Sequence, residues 1–159
     1  MLVDCFNLTF TIMTENTTTS SPTPKWFMIV AVLALIWNLF GVVAYIGRVT
    51  MSPEAFAALP ADQQAYLEST PMWATAAFAF AVWGGALGAL LLALKRAWSY
   101  PVLIVSLLGV VVQMVHSFFI ANSMEVYGPG ATIMPIMVLA IGFYLVWLAR
   151  SARAKGWIT

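Results

Sequence analysis

Residues 71–94 read PMWATAAFAFAVWGGALGALLLAL, a run without a charged side chain. An α-helix rises about 1.5 Å per residue and the hydrocarbon core of a bilayer is about 30 Å thick, so about twenty apolar residues cross it. Small residues recur at every fourth position of this run, namely Ala77, Ala81, Gly85, Ala89 and Ala93. Because small residues let helices approach closely in lipid, the run predicts a transmembrane helix with one helix-packing face, which we expect to pack inside the monomer.

Three further stretches, 26–47, 97–124 and 126–149, also lack charged residues. The chain is 62% hydrophobic and 8% charged, whereas an ordinary soluble domain carries about 25% charged residues. We therefore predict an all-α fold, a four-helix transmembrane bundle at 26–150 that lies in the lipid bilayer. Its four spans are predicted at about 26–47, 71–94, 99–121 and 131–149.

The segments outside the bundle are short. Residues 1–25 are predicted to form a disordered tail, because their second half is rich in Thr, Ser, Asn and Pro. Met13 is an alternative start to Met1, in which case residues 1–12 form an upstream extension that is not native. Residues 151–159 are predicted to form a C-terminal tail.

The distribution of cations predicts the orientation, since Lys and Arg collect on the cytoplasmic side of membranes. With four spans, the N-terminus, the 95–98 loop and the C-terminus share one side, and every Lys and Arg except Arg48 falls there. We therefore predict a multi-pass protein with both termini in the cytoplasm. Below, "inner" denotes this side of the bundle and "outer" the opposite side.

The outer 48–70 loop carries two helix-start signals. Ser52-Pro53-Glu54 combines a capping hydroxyl, a proline at the first helical position and an acid in the first turn. Pro60-Ala61-Asp62 opens a second turn. These signals predict two short amphipathic helices on the outer surface, above the bundle.

Polar side chains are few within the predicted spans, and most fall in the outer half. Counting residues from the span ends places Asn38 and Gln113 at one depth, with His116 one turn further out and Glu125 at the outer mouth. The cluster predicts a pocket for a small neutral polar ligand, such as a sugar or a quinone headgroup. The candidate ligand-binding residues are Asn38, Tyr45, Trp83, Gln113, His116 and Ser117.

Alternative interpretations of these polar residues remain open. Asn38 and Gln113 are also suited to hydrogen-bond each other and so join two helices. His116 suits either a proton-coupled step or the structural role of a neutral, hydrogen-bonded histidine.

Composition argues against several classes of function. The spans hold no acid that would orient His116 beside Ser117, and no paired carboxylates, so we expect no enzyme and no catalytic residues. One histidine and one cysteine, Cys5, build no metal site, so neither a metal nor a cofactor is expected. A net charge of +1 gives no reason to expect a nucleic-acid partner.

Several motifs lie between about Trp26 and the C-terminus. They are Trp37-Asn38-Leu39-Phe40-Gly41 with Tyr45, Pro71-Met72-Trp73-Ala74-Thr75-Ala76-Ala77, Gly84-Gly85-Ala86-Leu87-Gly88, and Asn122-Ser123-Met124-Glu125-Val126-Tyr127-Gly128-Pro129-Gly130. With these motifs the chain resembles a group of small, largely uncharacterised bacterial four-span membrane proteins, some of which carry the label "sugar transporter". The resemblance implies a location in the bacterial inner membrane and a role in transport.

Three classes of function follow. The first is a transporter or binder of a small molecule, with a sugar as one candidate, in which transport requires a homo-oligomer. The second is a non-catalytic accessory or scaffolding subunit that binds another membrane subunit. The third, a membrane enzyme, has the least support, and we take the first as the working hypothesis.

Overall fold

Four long helices, joined by short ones, make up the described part of the chain. The structure is a computed structural model that describes residues 22–159, and within this range it contains helices and no strands. The long helices are α1 (Lys25–Val49), α4 (Met72–Ala93), α5 (Ser99–Val115) and α7 (Ile133–Ala154). The short helices are α2 (Pro53–Ala57), α3 (Ala61–Glu68) and α6 (Ser123–Tyr127); α5 continues into a π-helical turn at His116–Ile120, and a 3₁₀ turn at Pro129–Thr132 precedes α7. The predicted fold class is confirmed, whereas the predicted start and most of the N-terminal tail lie outside the described residues.

The long helices are compatible with an integral, multi-pass membrane protein. Each is long and apolar enough to cross a bilayer, if α5 is taken together with its π-helical turn. Large apolar side chains such as Phe40, Val43 and Phe80 are 68%, 66% and 63% exposed. Surfaces of this kind are satisfied by acyl chains and not by water.

The long helices pack in chain order. The α4–α5 hairpin has the most extensive contact, α1 packs on α4, and α7 packs on α5. Contact between α4 and α7 is slight, and among the described residues α1 and α7 share no extensive contact. The α4–α5 pair therefore forms the centre of the bundle, while α1 and α7 flank it.

The small residues of α4 lie inside this arrangement. Ala77, Ala81, Gly85 and Ala89 are buried, and Ala93 is half-buried. On α5, Gly109 faces the backbone of Ala77 and Ala81, so at this position α5 has no side chain that would hold α4 away. The packing face of α4 is thus covered by α5 and, at Gly85, by Asn38 of α1.

The C-terminal segment packs against the inner end of the bundle. The Thr159 N–H donates to Lys95 O and the Ala97 N–H donates to Thr159 O, both at 2.9 Å. Ile158 is buried, and the Trp157 ring lies edge-on to Phe27 with 5.7 Å between centroids. The segment predicted as a tail therefore begins as the last turn of α7 and ends as an ordered part of the hydrophobic core.

Substitution of Gly109 tests the close contact between α4 and α5. A Cβ at this position would lie 2.8 Å from Ala77 O and from Ala81 N, which are backbone atoms. We expect Gly109→Ala to lower the free energy of unfolding by about 1–3 kcal/mol, as overpacking does. Unfolding in one detergent provides the measurement.

Gly47→Ala is the matched control, since a Cβ at Gly47 meets nothing within 4 Å. We expect it to be neutral or to stabilise α1 by up to about 1 kcal/mol, because alanine favours the helix. Equal stabilities of the two variants would contradict the close contact.

Candidate functional site

A cavity of about 540 Å³ lies between α1 and α7, with α4 and α5 as its base. The polar side chains that line it are those of Asn38, Ser106, Gln113 and Ser117, and apolar residues from all four long helices make up most of the rest. Phe40 and Met134 line the cavity while 68% and 57% exposed. Because α1 and α7 do not close over it, the cavity opens sideways between them.

Both ends of the cavity are obstructed. At the inner end, its lining residues Leu103 and Leu145 belong to the buried hydrophobic core, which also includes Phe27 and Ile158. At the outer end, Tyr66 of α3 hydrogen-bonds to the lining residue Ser117, with 3.3 Å between the two hydroxyl oxygens. The side of the cavity between α1 and α7 is thus the one that no such contact covers.

The side chains of Asn38 and Ser106 both approach Gly85 within the cavity. The Asn38 Nδ2 donates to Ala34 O at 2.7 Å, one turn back in α1. The Ser106 hydroxyl donates to Ala81 O of α4 at 2.6 Å. A Cβ at Gly85 would collide with Asn38 Oδ1 and approach Ser106 Oγ, so a larger residue there would force the Asn38 side chain to move.

Gln113 does not lie at the depth of Asn38, contrary to the residue count. Asn38 and Ser106 share the level of Gly85, and Gln113 follows Ser106 by about two turns, or about 10 Å along α5. The count assumed that α1 and α5 start at equal depth, whereas the close contacts of α4 fix their relative position. The predicted hydrogen bond between Asn38 and Gln113 is accordingly absent from the described residues.

Two buried polar atoms near the outer end have no partner within the described part of the chain. They are Gln113 Oε1 and His116 Nδ1. The His116 side chain is 1% exposed, and its ring lies edge-on to Trp73 with 5.2 Å between centroids. His116 also starts the π-helical turn, in which the Ala121 N–H donates to His116 O at 2.9 Å. Such turns frequently occur at functional sites.

Tyr66 links the outer elements to one another. Besides Ser117, its ring contacts Tyr127 of α6, with 5.4 Å between centroids, and the Arg48 guanidinium, 5.9 Å away. Arg48 also donates to Thr70 Oγ1, whose hydroxyl in turn donates to Tyr66 O. Partial burial and, secondarily, the nearby Tyr66 phenol raise the pKa of Tyr127. Helix α3, one of the two short helices predicted for the outer loop, thus forms a cap together with α6, and this cap is fastened at Tyr66.

The other candidate residues lie outside the cavity lining. Tyr45 packs edge-on against Phe78, with 5.4 Å between centroids. Trp83 is 52% exposed on the outside of α4, and Glu125 is exposed in α6. His116 is buried beside the cavity, so among the six candidates only Asn38, Gln113 and Ser117 line it. Roles in ligand binding stay predictions for all of them.

Ser106 and Tyr66 were missed as site residues. Ser106 lies on the same face of the third span as Gln113, and this shared face could have identified it as a site residue. Tyr66 is the only tyrosine of the 48–70 loop, but the sequence does not show that it contacts the third span.

Comparison of the chain with protein-family profiles, with curated proteins and with solved structures finds no match. Residues 22–159 contain no group of three or more His, Cys, Asp or Glu side chains that could hold a metal ion. The chemistry of the cavity therefore has to be inferred from its own residues.

Substitution of His116 tests whether its Nδ1 is unpartnered. Burial of a polar atom without a hydrogen bond costs about 1–3 kcal/mol, and methionine is apolar, of similar size, and packs well on aromatic rings. We expect His116→Met to leave the unfolding midpoint unchanged or to raise it.

The control for this prediction is Ser106→Ala, which removes a hydroxyl that does have a partner. It should lower stability by about 0.5–1.5 kcal/mol. If His116→Met destabilises the protein as much as Ser106→Ala, the Nδ1 atom has a partner and the interpretation fails.

The cap is tested by comparing two substitutions of Tyr66. Tyr66→Ala removes the ring contacts with Arg48 and Tyr127, so we expect faster hydrogen exchange in α3 and α6. Exchange of the inner end should not change, and mass spectrometry of peptides measures both. Tyr66→Phe removes only the bond to Ser117, worth about 1 kcal/mol, and should keep most of the protection. Equal loss of protection in both variants would show that the ring contacts do not fasten the cap.

Proposed function

We propose that this protein is an integral membrane protein that binds a small amphiphilic molecule in the cavity between α1 and α7. The cavity itself carries the proposal, because a volume of about 540 Å³ falls in the range of about 300–1,000 Å³ that is typical of small-molecule sites. Such sites are mostly apolar with a few polar groups that fix orientation, as this one is.

The lining favours an amphiphile over a free sugar. A sugar needs hydrogen bonds around its whole circumference, since each buried hydroxyl without a partner costs about 1–3 kcal/mol. The cavity offers four amide or hydroxyl side chains, of which Asn38, Ser106 and Ser117 already hold partners. A ligand with one polar group and an apolar body matches it better.

The lateral opening supports the same choice. A molecule dissolved in the bilayer reaches the cavity between α1 and α7 without passing the cap or the inner core. In the topology that the cations favour, the inner end faces the cytoplasm. Binding, not transport, is the activity proposed for a single copy.

Photolabelling in lipid nanodiscs tests the proposed binding. The probe is a fatty alcohol whose chain carries a diazirine. We expect saturable labelling of peptides from the cavity, which excess unlabelled alcohol prevents. We expect Val138→Phe, which places a ring into the cavity, to reduce this labelling at least several-fold.

Val43→Phe is the matched control, since the same change occurs at a side chain that is 66% exposed and does not line the cavity. Its saturable labelling should equal that of the unmodified protein. Labelling that rises linearly with the probe concentration, or that is unchanged by Val138→Phe, would contradict the proposed site. The outcome would then favour the scaffolding function, in which the exposed helix faces bind another subunit.

A further inference from the structure

The hydrogen-bonding character of the middle of the cavity restricts the ligand. We propose that the ligand carries a hydroxyl or N–H donor, which it places beside Gly85 between Asn38 Oδ1 and Ser106 Oγ. This inference rests on the proposed function and specifies the chemical class of its ligand.

The orientation of the Asn38 carboxamide is fixed by its own helix. Ala34 O can only accept, so the atom 2.7 Å from it must be the Nδ2 donor. The Oδ1 therefore turns toward Gly85 and the cavity. Within the described part of the chain no donor is bonded to this oxygen, so it offers a free acceptor in an apolar environment.

Ser106 adds a second acceptor at the same level. Its single hydroxyl proton is directed to Ala81 O, 2.6 Å away, which leaves the oxygen lone pairs as its remaining hydrogen-bonding capacity. Asn38 Oδ1 and Ser106 Oγ both lie next to the position that a Cβ of Gly85 would take. Two neighbouring acceptors are matched by a donor and disfavour a ligand group that only accepts.

The surroundings define the rest of the ligand. The cavity is also lined by Leu103 and Leu145 of the buried core and by Ile141, which packs against that core, and these side chains suit an alkyl or isoprenoid chain. Because the opening is lateral, the ligand is a hydroxylated amphiphile that partitions from the bilayer, such as a long-chain alcohol or a quinol. A ligand that only accepts, such as an ether or a quinone, leaves both oxygens without a partner.

Competition between two matched molecules tests the inference. A fatty alcohol and its methyl ether, with equal chain lengths, are compared as competitors of the diazirine probe on the full chain in nanodiscs. We expect the alcohol to compete at a roughly three- to ten-fold lower concentration in the membrane, as the gain of one buried hydrogen bond predicts. Equal potency of the two competitors, or a preference for the ether, would overturn the inference.

Variants of the two acceptors locate the effect. Asn38→Ala should bring the ratio of the two potencies close to one, and Ser106→Ala should reduce it. Ser117→Ala, at the outer end of the same cavity, should leave it unchanged. Each ratio compares the two competitors within one variant, so a general loss of binding does not change it. Ser106→Ala still tests the inference if Asn38→Ala does not fold. A ratio that stays at its original value in both acceptor variants would also overturn it.

The two proposals fail in different ways. If neither molecule prevents labelling because labelling is not saturable, the proposed binding site is wrong. If both molecules compete equally, the site stands and only the donor requirement is wrong.

Discussion

The close approach of α4 and α5 depends on positions at which one helix has no side chain to hold the other away. Gly109 lies against the backbone of Ala77 and Ala81, and Gly88 lies against Leu103. In lipid, where burial of apolar surface contributes little to helix association, such contacts are the main source of stability. Because α4 and α5 fill the centre of the bundle, α1 and α7 are left on its flanks. The cavity between those two helices is a consequence of this packing.

The same contacts determine how polar groups are accommodated away from water. Asn38 donates one N–H to a carbonyl of its own helix, and Ser106 donates its hydroxyl proton to a backbone carbonyl of the facing helix α4, so neither bond needs a polar side chain as its partner. Their oxygens then collect where Gly85 leaves space. A polar group in a membrane span is costly unless it has a partner or a use. Because of this cost, the acceptors at Gly85 indicate the chemistry of the ligand more directly than the aromatic residues do.

The sequence predicted the elements of this fold better than their contacts. Span positions follow from bilayer thickness and charge, and the start of α2 at Pro53 follows from the Ser52 cap, whose hydroxyl accepts from the Ala55 N–H. The relative depth of residues on different helices does not follow from such rules, because it depends on which small residues of the helices contact each other. The residue count therefore predicted the wrong depth for Gln113. The π-helical turn at His116 has no sequence signature. The packing of the C-terminal segment did have a sequence signature, namely Trp157 and Ile158, two apolar residues in a stretch that was predicted to be a tail.

The closed inner end of the cavity and its open side are the reason that binding, and not transport, is the proposed function of a single copy. A transporter must expose one site to two aqueous sides in turn, whereas here the core closes the inner end and the Tyr66–Ser117 contact lies across the outer end. Opening the inner end would require large buried side chains such as Phe27 and Leu148 to leave their core. Opening the outer end requires only that the contacts of the cap break. Under the proposed binding function, a single copy exchanges an amphiphile with the membrane through the open side of the cavity, while the inner end stays closed.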